Sequence, residues 1–223
     1  MVDEADSQAD ALRTRRERMV RRTLLDRGVR DPRVIDAMRT VPRELFVADW
    51  QGDSAYADHP LPIGRGQTIS QPYVVALMAE AAGITDTSRV LEVGTGSGYG
   101  AAVLGAIAEQ VVSLERHSSL AEQAAGAIAA AGFDNVEVVH HDGTEGWPDE
   151  APYDAIVVTA AATEVPEALL SQLADGARLV IPVGRQGRSQ HLLRITRRDG
   201  TFDEEDLGLV AFVPLVPGPT PDD

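Results

Sequence analysis

Short apolar runs alternate with alanine-rich stretches through the second half of the chain. One run opens the stretch Arg89–Gly100, and others follow at Gln110–Glu115, Val136–His140 and Tyr153–Thr159. Between them, segments such as Ser118–Ala131 have the length and composition of helices. Apolar strands that alternate with helices are typical of a parallel sheet covered on both faces. The pattern therefore predicts a doubly wound α/β domain.

The N-terminal part of the chain is predicted to form a helical region beside this sheet, up to about Trp50. The sequence signals indicate a helix over Ala11–Arg27 that ends at Gly28, a second helix from Asp31 and Pro32 through Met38, and a short element over Val41–Val47. Residues 1–10 and 217–223 are acidic, polar or proline-rich, so both ends are predicted to be disordered. The sequence therefore predicts a single domain over residues 11–216, whose sheet-containing core covers residues 73–216.

Residues 51–72 are predicted to form a long loop, because they show neither helical nor strand periodicity. Loops of this length in compact domains are usually functional or disordered. Apolar residues within it, such as Leu61 and Ile69, favour a functional, active-site loop. An amphipathic helix over Tyr73–Ala82 follows, and Ser70 lies near its start. A helix N-cap is the alternative interpretation of Ser70, and the two roles are compatible.

The turn after the first strand of the core carries a chemical signal. Gly94, Gly96 and Gly98 occupy every second position, and glycine permits positive φ and the close approach of a ligand. A dinucleotide fingerprint would place its third glycine five positions after the first, where this chain has Tyr99. Glu92 instead favours a ligand with a positive group, such as S-adenosylmethionine with its ammonium and sulfonium. An ordinary glycine-rich strand-to-helix turn is the alternative.

Two further acids follow predicted strands. Glu115 ends the second strand, twenty-one residues after Gly94, and an acid at about that distance accepts hydrogen bonds from ribose hydroxyls. Asp142 follows the third strand. Because ligands bind at the carboxyl ends of the strands in open α/β sheets, these features together indicate one nucleoside site.

Composition limits the function classes. The chain has 223 residues and a formal net charge of −15, which argues against nucleic acid as a partner, because phosphate contacts need a basic surface. It contains no cysteine and no apolar run of membrane-spanning length, and its opening residues are acidic rather than a signal sequence. We expect a cytoplasmic protein without a membrane partner, acting as a monomer. No metal is expected, because successive strand-end residues such as His140 and His141 point to opposite sides.

The chain also resembles a known family over most of its length. The strings YADHPLPIGRGQTISQPYVVALM, VLEVGTGSGYGAAVL and GWPDEAPYDAIVVTAAATEVPEALLSQLADGARLVIPVG occur in the family's order. They resemble protein-L-isoaspartate O-methyltransferases, and the resemblance runs from about Arg21 to Leu215. The GQTISQP segment is specific to that family, whereas many methyltransferases share the glycine turn. The resemblance implies the class I methyltransferase fold, with a mostly parallel, seven-stranded, Rossmann-like sheet.

The resemblance further implies a repair reaction. A methyl group passes from S-adenosylmethionine to the α-carboxylate of L-isoaspartyl residues in damaged proteins and peptides. By motif, Ser70 takes the place of the active-site serine, Glu115 and Arg116 fall at the ribose position, and Asp142 and Gly143 fall at the adenine edge. The cofactor-binding residues expected in all are Gln67, Thr68, Ile69, Glu92, Gly94, Gly96, Ser97, Gly98, Glu115, Arg116, Asp142 and Gly143.

Two positions depart from the family pattern. His141 stands where family members commonly have glycine, and Gly100 stands where bacterial members often have glutamine. Neither residue is expected to touch the reacting atoms directly. The departures therefore bear on cofactor affinity rather than on the activity.

The implied chemistry needs no general base, because a carboxylate with a reference pKa of about 4 or below is ionised at neutral pH. We therefore expect Ser70 to orient the carboxylate rather than to act as a nucleophile. Val210–Leu215 is predicted to be an edge strand, limited in pairing by Pro214, and is a candidate surface for the substrate backbone. A buried last strand is the alternative for its alternate residues, since strand faces alternate. Two alternatives remain: a methyltransferase that acts on normal aspartate in a peptide precursor, and a nucleoside-binding module without catalysis.

Overall fold

The computed structural model describes residues 4–185 and 187–220. Helix α1 covers Glu4–Met19, so residues 4–10, which the sequence predicts to be disordered, are helical in the structure. The predictions of disorder for residues 1–3 and 221–223 lie outside the described residues.

The predicted N-terminal helix changes its winding before it ends. After α1 the chain forms a π-helical turn over Val20–Leu24 and a 3₁₀ turn over Leu25–Arg27. Its predicted end at Gly28 is confirmed, since this glycine has a φ of 98° and adopts the left-handed conformation that ends many helices. The buried residues Val20 and Leu24 of this segment belong to the hydrophobic core.

Three short helical segments complete the N-terminal region. Helix α2 covers Pro32–Thr40, and the Asp31 side chain caps it by accepting a hydrogen bond from the Arg33 amide. Two 3₁₀ helices follow at Arg43–Phe46 and Asp49–Ser54. The predicted start of α2 at Asp31 and Pro32 is therefore confirmed.

The segment 51–72 contains regular structure that its sequence does not indicate. Strands β1, Leu61–Gly64, and β2, Gln67–Ile69, pair as an antiparallel hairpin. Helix α3 then covers Pro72–Ala82 and ends at Gly83 in the left-handed conformation. The hairpin brings residues 67–70 to the edge of the main sheet's ligand pocket.

The core is a seven-stranded sheet. Its strands are β3 Arg89–Val93, β4 Gln110–Glu115, β5 Val136–His140, β6 Tyr153–Val158, β7 Leu173–Val183, β8 Gln190–Arg198 and β9 Thr201–Val210. Their order is β5-β4-β3-β6-β7-β8-β9, and the pairs from β5 to β7 are parallel while β7, β8 and β9 pair antiparallel. The predicted doubly wound, mostly parallel, seven-stranded fold is therefore confirmed.

Helices cover the sheet and leave a switch point at its centre. Helix α4, Tyr99–Gly105, and α5, Ser118–Ala130, connect the parallel strands β3, β4 and β5, and the short α6, Glu167–Ser171, precedes β7. Successive residues of β3 enter separate hydrophobic clusters, Val90 in one and Leu91 in the other. Because β4 and β6 lie on opposite sides of β3, a crevice opens at the carboxyl end of β3.

The prediction of an edge strand over Val210–Leu215 is wrong. Strand β9 ends at Val210 and is itself the edge strand, while the chain beyond it turns back toward the end of β6. There the Ala161 amide donates to the Val213 carbonyl at 2.7 Å and the Leu215 amide donates to the Ala161 carbonyl at 2.8 Å. These backbone bonds hold the segment beside the pocket instead of extending the sheet.

Candidate active site

One pocket lies at the carboxyl ends of β3 and β4 and the neighbouring β6. Of the predicted site residues, it is lined by Gln67, Thr68, Ile69, Ser70, Glu92, Gly94, Gly96, Ser97, Glu115, Arg116 and Gly143. Gly98 and Asp142 lie next to lining residues without lining the pocket themselves. The sheet and the hairpin thus bring together residues that are far apart in the chain.

Backbone geometry explains the glycine turn. Gly94, Gly96 and Gly98 have φ values of 98°, 55° and 89°, which L side chains rarely adopt. A Cβ at Gly94 would lie 2.5 Å from the Thr159 Oγ1, and one at Gly98 would lie 3.0 Å from the Ile128 Cδ1. Gly98 therefore lets α4 pack against α5, whereas Gly94 lets β3 turn into the pocket.

The acid predicted at the ribose position also holds the turn. Glu115 is 5% exposed, and its Oε2 accepts a hydrogen bond from the Gly96 amide at 2.8 Å. Its Oε1 accepts from the His117 amide at 3.0 Å. The Nε2 of His117, a pocket-lining residue, is buried and has no hydrogen-bond partner among the described residues. Glu115 thus fixes the backbone at two pocket-lining positions, Gly96 and His117.

Glu92 is buried at the end of β3, where its partner is an uncharged hydroxyl. It is 1% exposed, and its Oε2 accepts a hydrogen bond from the Ser113 Oγ at 2.5 Å. Burial raises the pKa of Glu92 to about 8, the Ser113 hydrogen bond opposes this, and the charge of Glu115 adds to it. Such a carboxylate is well placed to receive a cationic group of a ligand.

Gly100 leaves room for this carboxylate. A Cβ at Gly100 would lie 2.4 Å from the Glu92 Oε1. The departure from the family pattern at Gly100 is therefore coupled to the conformation of Glu92 in this chain. The other departure, His141, packs edge-on against Trp147, with ring centroids 5.1 Å apart.

Asp142 is held by hydrogen bonds at the end of β5. Its Oδ1 accepts from the Thr144 amide and hydroxyl at 2.9 and 2.7 Å, and its Oδ2 accepts from the Gly218 amide at 2.6 Å. Burial alone would raise the pKa of Asp142, but the hydrogen bonds from Thr144 and Gly218 lower it. Residues 217–220 of the predicted disordered tail therefore lie against the site, because Gly218 and Thr220 contact Asp142 and Arg116 respectively.

Ser70 lies between the hairpin and α3, with its side chain at the pocket. The N-cap interpretation of Ser70 is wrong, because the N-cap of α3 is Gln71, Pro72 is the first helical residue, and no side chain caps the helix. The Ser70 hydroxyl has no hydrogen-bond partner among the residues that the structure describes, whereas its carbonyl oxygen accepts from Arg43 Nη2 at 2.9 Å. The hydroxyl is thus available to a ligand.

The residues present fit S-adenosylmethionine. Glu92 offers a buried carboxylate for its positive groups, and glycines at positions 94 and 96 bring bare backbone to the pocket wall. A Cβ at Gly143 would lie 2.3 Å from the Val93 Cγ1, so only glycine leaves this part of the pocket as it is.

Sequence reasoning missed some lining residues. Thr159 lines the pocket at the end of β6, and its Oγ1 donates to the Gly94 carbonyl at 2.6 Å. Its position directly after β6, the strand beside β3, is the sequence signal that could have marked Thr159 as a site residue. Residues 213–216 also line the pocket; the sequence places 213–215 in a candidate substrate surface, but as part of an edge strand, which they are not. Buried Arg43 behind Ser70 gave no such signal, since arginine is rarely fully buried.

Comparisons with known proteins show which family the chain resembles. The family model described as protein-L-isoaspartate(D-aspartate) O-methyltransferase matches residues 14–219. A protein-L-isoaspartate O-methyltransferase 2 of Pelobacter propionicus is 55% identical over 203 residues, which are 91% of this chain and 90% of that one. A solved protein-L-isoaspartate O-methyltransferase superposes with a TM-score of 0.83 at 31% identity, covering 92% of this chain and 67% of its own.

A second solved structure includes a ligand. It is a protein-L-isoaspartate O-methyltransferase from Plasmodium falciparum in complex with S-adenosyl-L-homocysteine, with a TM-score of 0.77 at 28% identity. It covers 92% of this chain and 98% of its own.

The fold and the pocket at its switch point define a class I methyltransferase that uses S-adenosylmethionine. Within that class, the chain belongs to the protein-L-isoaspartate(D-aspartate) O-methyltransferase family. Its activity is that of an S-adenosylmethionine-dependent protein-L-isoaspartate O-methyltransferase, as the sequence resemblance predicts.

Proposed function

We propose that Ser70 orients the α-carboxylate of an L-isoaspartyl residue in a damaged protein, against a methyl group held by the glycine turn. The observation that carries this proposal is the position of Ser70. Ser70 lines the same pocket as Glu92 and residues Gly94–Ser97 of the turn, and its hydroxyl has no partner among the described residues. A hydroxyl can donate one hydrogen bond to a carboxylate oxygen.

The reaction needs positioning more than proton transfer. S-adenosylmethionine, when bound, would supply the carboxylate oxygen with a methyl group from its sulfonium, and the electrons of the carbon–sulfur bond would stay on sulfur, leaving S-adenosylhomocysteine. The carboxylate is already ionised at neutral pH, so the protein supplies no base. Ser70 holds the attacking oxygen, and buried Ile69 beside it excludes water from the reacting atoms. Such alignment can lower the activation free energy by about 7–11 kcal/mol.

The remaining predicted residues are proposed to hold the cofactor. Glu92 would receive the ammonium group of its amino-acid portion, and Glu115 would accept hydrogen bonds from the ribose hydroxyls. Gly143, next to Asp142, would border the adenine. The backbone of residues 213–216 lines the pocket, and we propose that it contacts the substrate chain.

Methyl transfer to paired peptides tests this function. An isoaspartyl peptide and its aspartyl counterpart of the same sequence are incubated with the protein and labelled S-adenosylmethionine. The proposal expects methyl ester on the isoaspartyl peptide alone. Ester on the aspartyl peptide would support the alternative methyltransferase that acts on normal aspartate. Cofactor binding without transfer to either peptide would support a binding module.

We further propose that the enzyme acts as a cytoplasmic monomer that does not bind nucleic acid. The net charge of −15 supports the last part, since phosphates are repelled by an acidic surface. Among the described residues, no helix is long and apolar enough to cross a membrane. Light scattering during gel filtration measures the oligomeric state, and a mass of about twice 23.8 kDa would contradict the monomer.

A further inference from the structure

A buried arginine lies directly behind the active-site serine. Arg43 begins the 3₁₀ helix Arg43–Phe46 and has no exposed surface. Its Nη2 donates a hydrogen bond to the Ser70 carbonyl oxygen at 2.9 Å, and its Nε donates to the Ala55 carbonyl oxygen at 2.7 Å. Among the described residues, Arg43 is the one side chain that hydrogen-bonds Ser70. The guanidinium thus ties the N-terminal region to the segment that carries the serine.

The same guanidinium lies over the ring of Tyr99. Its Cζ is 4.6 Å from the ring centroid, a distance at which a cation is attracted to an aromatic face. Tyr99 is buried, follows Gly98 as the first residue of α4, and lines the pocket. Arg43 therefore contacts both Ser70, which is proposed to orient the substrate, and helix α4, which begins directly after the glycine turn.

No carboxylate among the described residues pairs with the charge of Arg43. None of the described acidic residues forms an ion pair with it, and its Nη1 is buried without a hydrogen-bond partner among them. Burial lowers the pKa of Arg43, while Tyr99, Tyr56 and Asp58 oppose this. An unpaired buried charge lowers the stability of a fold, which fits a role in the site better than a role in stability.

We propose that Arg43 is a positioning residue for methyl transfer. By contacting both the Ser70 carbonyl and the Tyr99 ring, it fixes Ser70 relative to the glycine turn Gly94–Gly98. The inference rests on the proposed role of Ser70. Misplacement of a reacting group by about 1 Å can lower a rate by about a hundredfold, so a fixed distance between serine and turn bears directly on kcat.

Arg43→Lys tests the proposal, because lysine keeps the charge but lacks the planar fork that donates to two carbonyl oxygens at once. The expected result is a fall in kcat of roughly ten- to a hundredfold, with the peptide KM and the affinity for S-adenosylhomocysteine changed by less than about twofold. Arg33→Lys is the matched control, since Arg33 pairs with Asp31 on the surface and should keep the wild-type kcat.

A double-mutant cycle separates positioning from general stability. If Arg43 acts through Ser70, Arg43→Lys should lower kcat by no more than about twofold in a Ser70→Ala background, because the group it positions is gone. The inference would be overturned if the kcat losses of the two single variants multiply in full in the double variant. An unchanged kcat in folded Arg43→Lys would overturn it as well. If the lysine variant does not fold, Arg43→Gln takes its place, since it buries no charge.

Hydrogen–deuterium exchange gives a readout that does not depend on methyl transfer. Residues 67–73 should exchange faster in Arg43→Lys than in the wild type, with exchange in β3 unchanged. Faster exchange in a chain that does not methylate isoaspartyl peptides would refute the proposed function and still support the hold of Arg43 on this segment. Unchanged exchange over residues 67–73 would count against the inference, whatever the activity.

Discussion

At the residue scale, Ser70→Ala distinguishes an orienting serine from a nucleophile. Loss of one hydrogen bond to a charged group, about 1.5–3 kcal/mol, should lower kcat/KM roughly ten- to two-hundredfold. Sequential kinetics and unchanged affinity for S-adenosylhomocysteine should accompany this loss. A nucleophile would instead show a covalent intermediate and lose nearly all activity.

The control for this variant is Ser171→Ala, on the exposed end of α6, which should keep the wild-type kcat/KM. Thermal melting of both variants confirms that they are folded. An unaltered kcat/KM in folded Ser70→Ala would remove the serine from the proposed mechanism.

Glu115→Ala should weaken the binding of S-adenosylhomocysteine by about 1.5–3 kcal/mol, measured by isothermal titration. The carboxylate is proposed to bind the ribose, and it also accepts from the Gly96 and His117 amides, so its loss loosens the glycine turn as well. Glu122→Ala, on the exposed face of α5, serves as the control. Equal affinity in Glu115→Ala would contradict the ribose assignment.

Individual residues differ in how well the sequence predicts their place at the site. Glu115 follows from its spacing after Gly94, because the ribose lies at a fixed distance along a βαβ unit. Arg43 does not, since its environment consists of the Ala55 and Ser70 carbonyls and the Tyr99 ring, which only tertiary packing brings together. A sequence pattern cannot indicate a partner that is contributed by another part of the chain.

At the scale of elements, helix α5 offers a test of local propensity. Gly126 lies on its exposed face with nothing within 4 Å of an added Cβ and without positive φ. Gly126→Ala should therefore raise the free energy of unfolding by about 0.5–1 kcal/mol, because alanine loses less entropy in a helix.

Gly132→Ala is the matched counterpart, just after the same helix. It also has open space around it, but its φ is 85°. The variant should lower the free energy of unfolding, because an L side chain is strained there. Urea denaturation measures both variants, and a change of the same sign in the two would contradict the assigned backbone conformations.

The elements themselves were predictable where periodicity was strong. Strands β3 to β6 and helix α5 follow from apolar runs and alanine-rich stretches, whereas β1 and β2, with four and three residues, are too short for a period to show. The antiparallel pairing of β8 and β9 has a sequence signal in the Asp-Gly dipeptide that joins the two strands. Asp199 and Gly200, between them, both have positive φ, as in a tight hairpin turn.

At the scale of the whole molecule, the parallel sheet positions the site at the carboxyl ends of its strands. One buried acid of the site, Glu92, makes the stability of the fold depend on pH. Folding raises the pKa of Glu92 from its ordinary value of 4.5 to about 8, chiefly by burial. The folded state therefore binds a proton more tightly than the unfolded state. The contribution of Glu92 to stability is complete below pH 4.5 and is lost as pH rises toward 8, by about 1.4 kcal/mol per pH unit in between.

Glu92→Gln isolates this effect, because glutamine keeps a polar partner for Ser113 and does not ionise. The variant should gain stability over the wild type as pH rises from 5 to 8, by an amount on the order of a few kcal/mol. Glu122→Gln should show no such trend, since Glu122 is exposed. Urea denaturation across this pH range measures the difference, and parallel pH profiles for wild type and Glu92→Gln would contradict the raised pKa.

Cofactor binding should reverse the protonation of Glu92. If the ammonium group of S-adenosylhomocysteine lies against this carboxyl group, it lowers the pKa of Glu92, and up to one proton leaves the protein on binding at pH 7. Titration calorimetry in buffers of different ionisation enthalpy counts that proton. Glu92→Gln should bind without releasing it, and with lower affinity. Proton release that persists in Glu92→Gln would show that another group contacts the ligand's cation, and the assignment of Glu92 would be wrong.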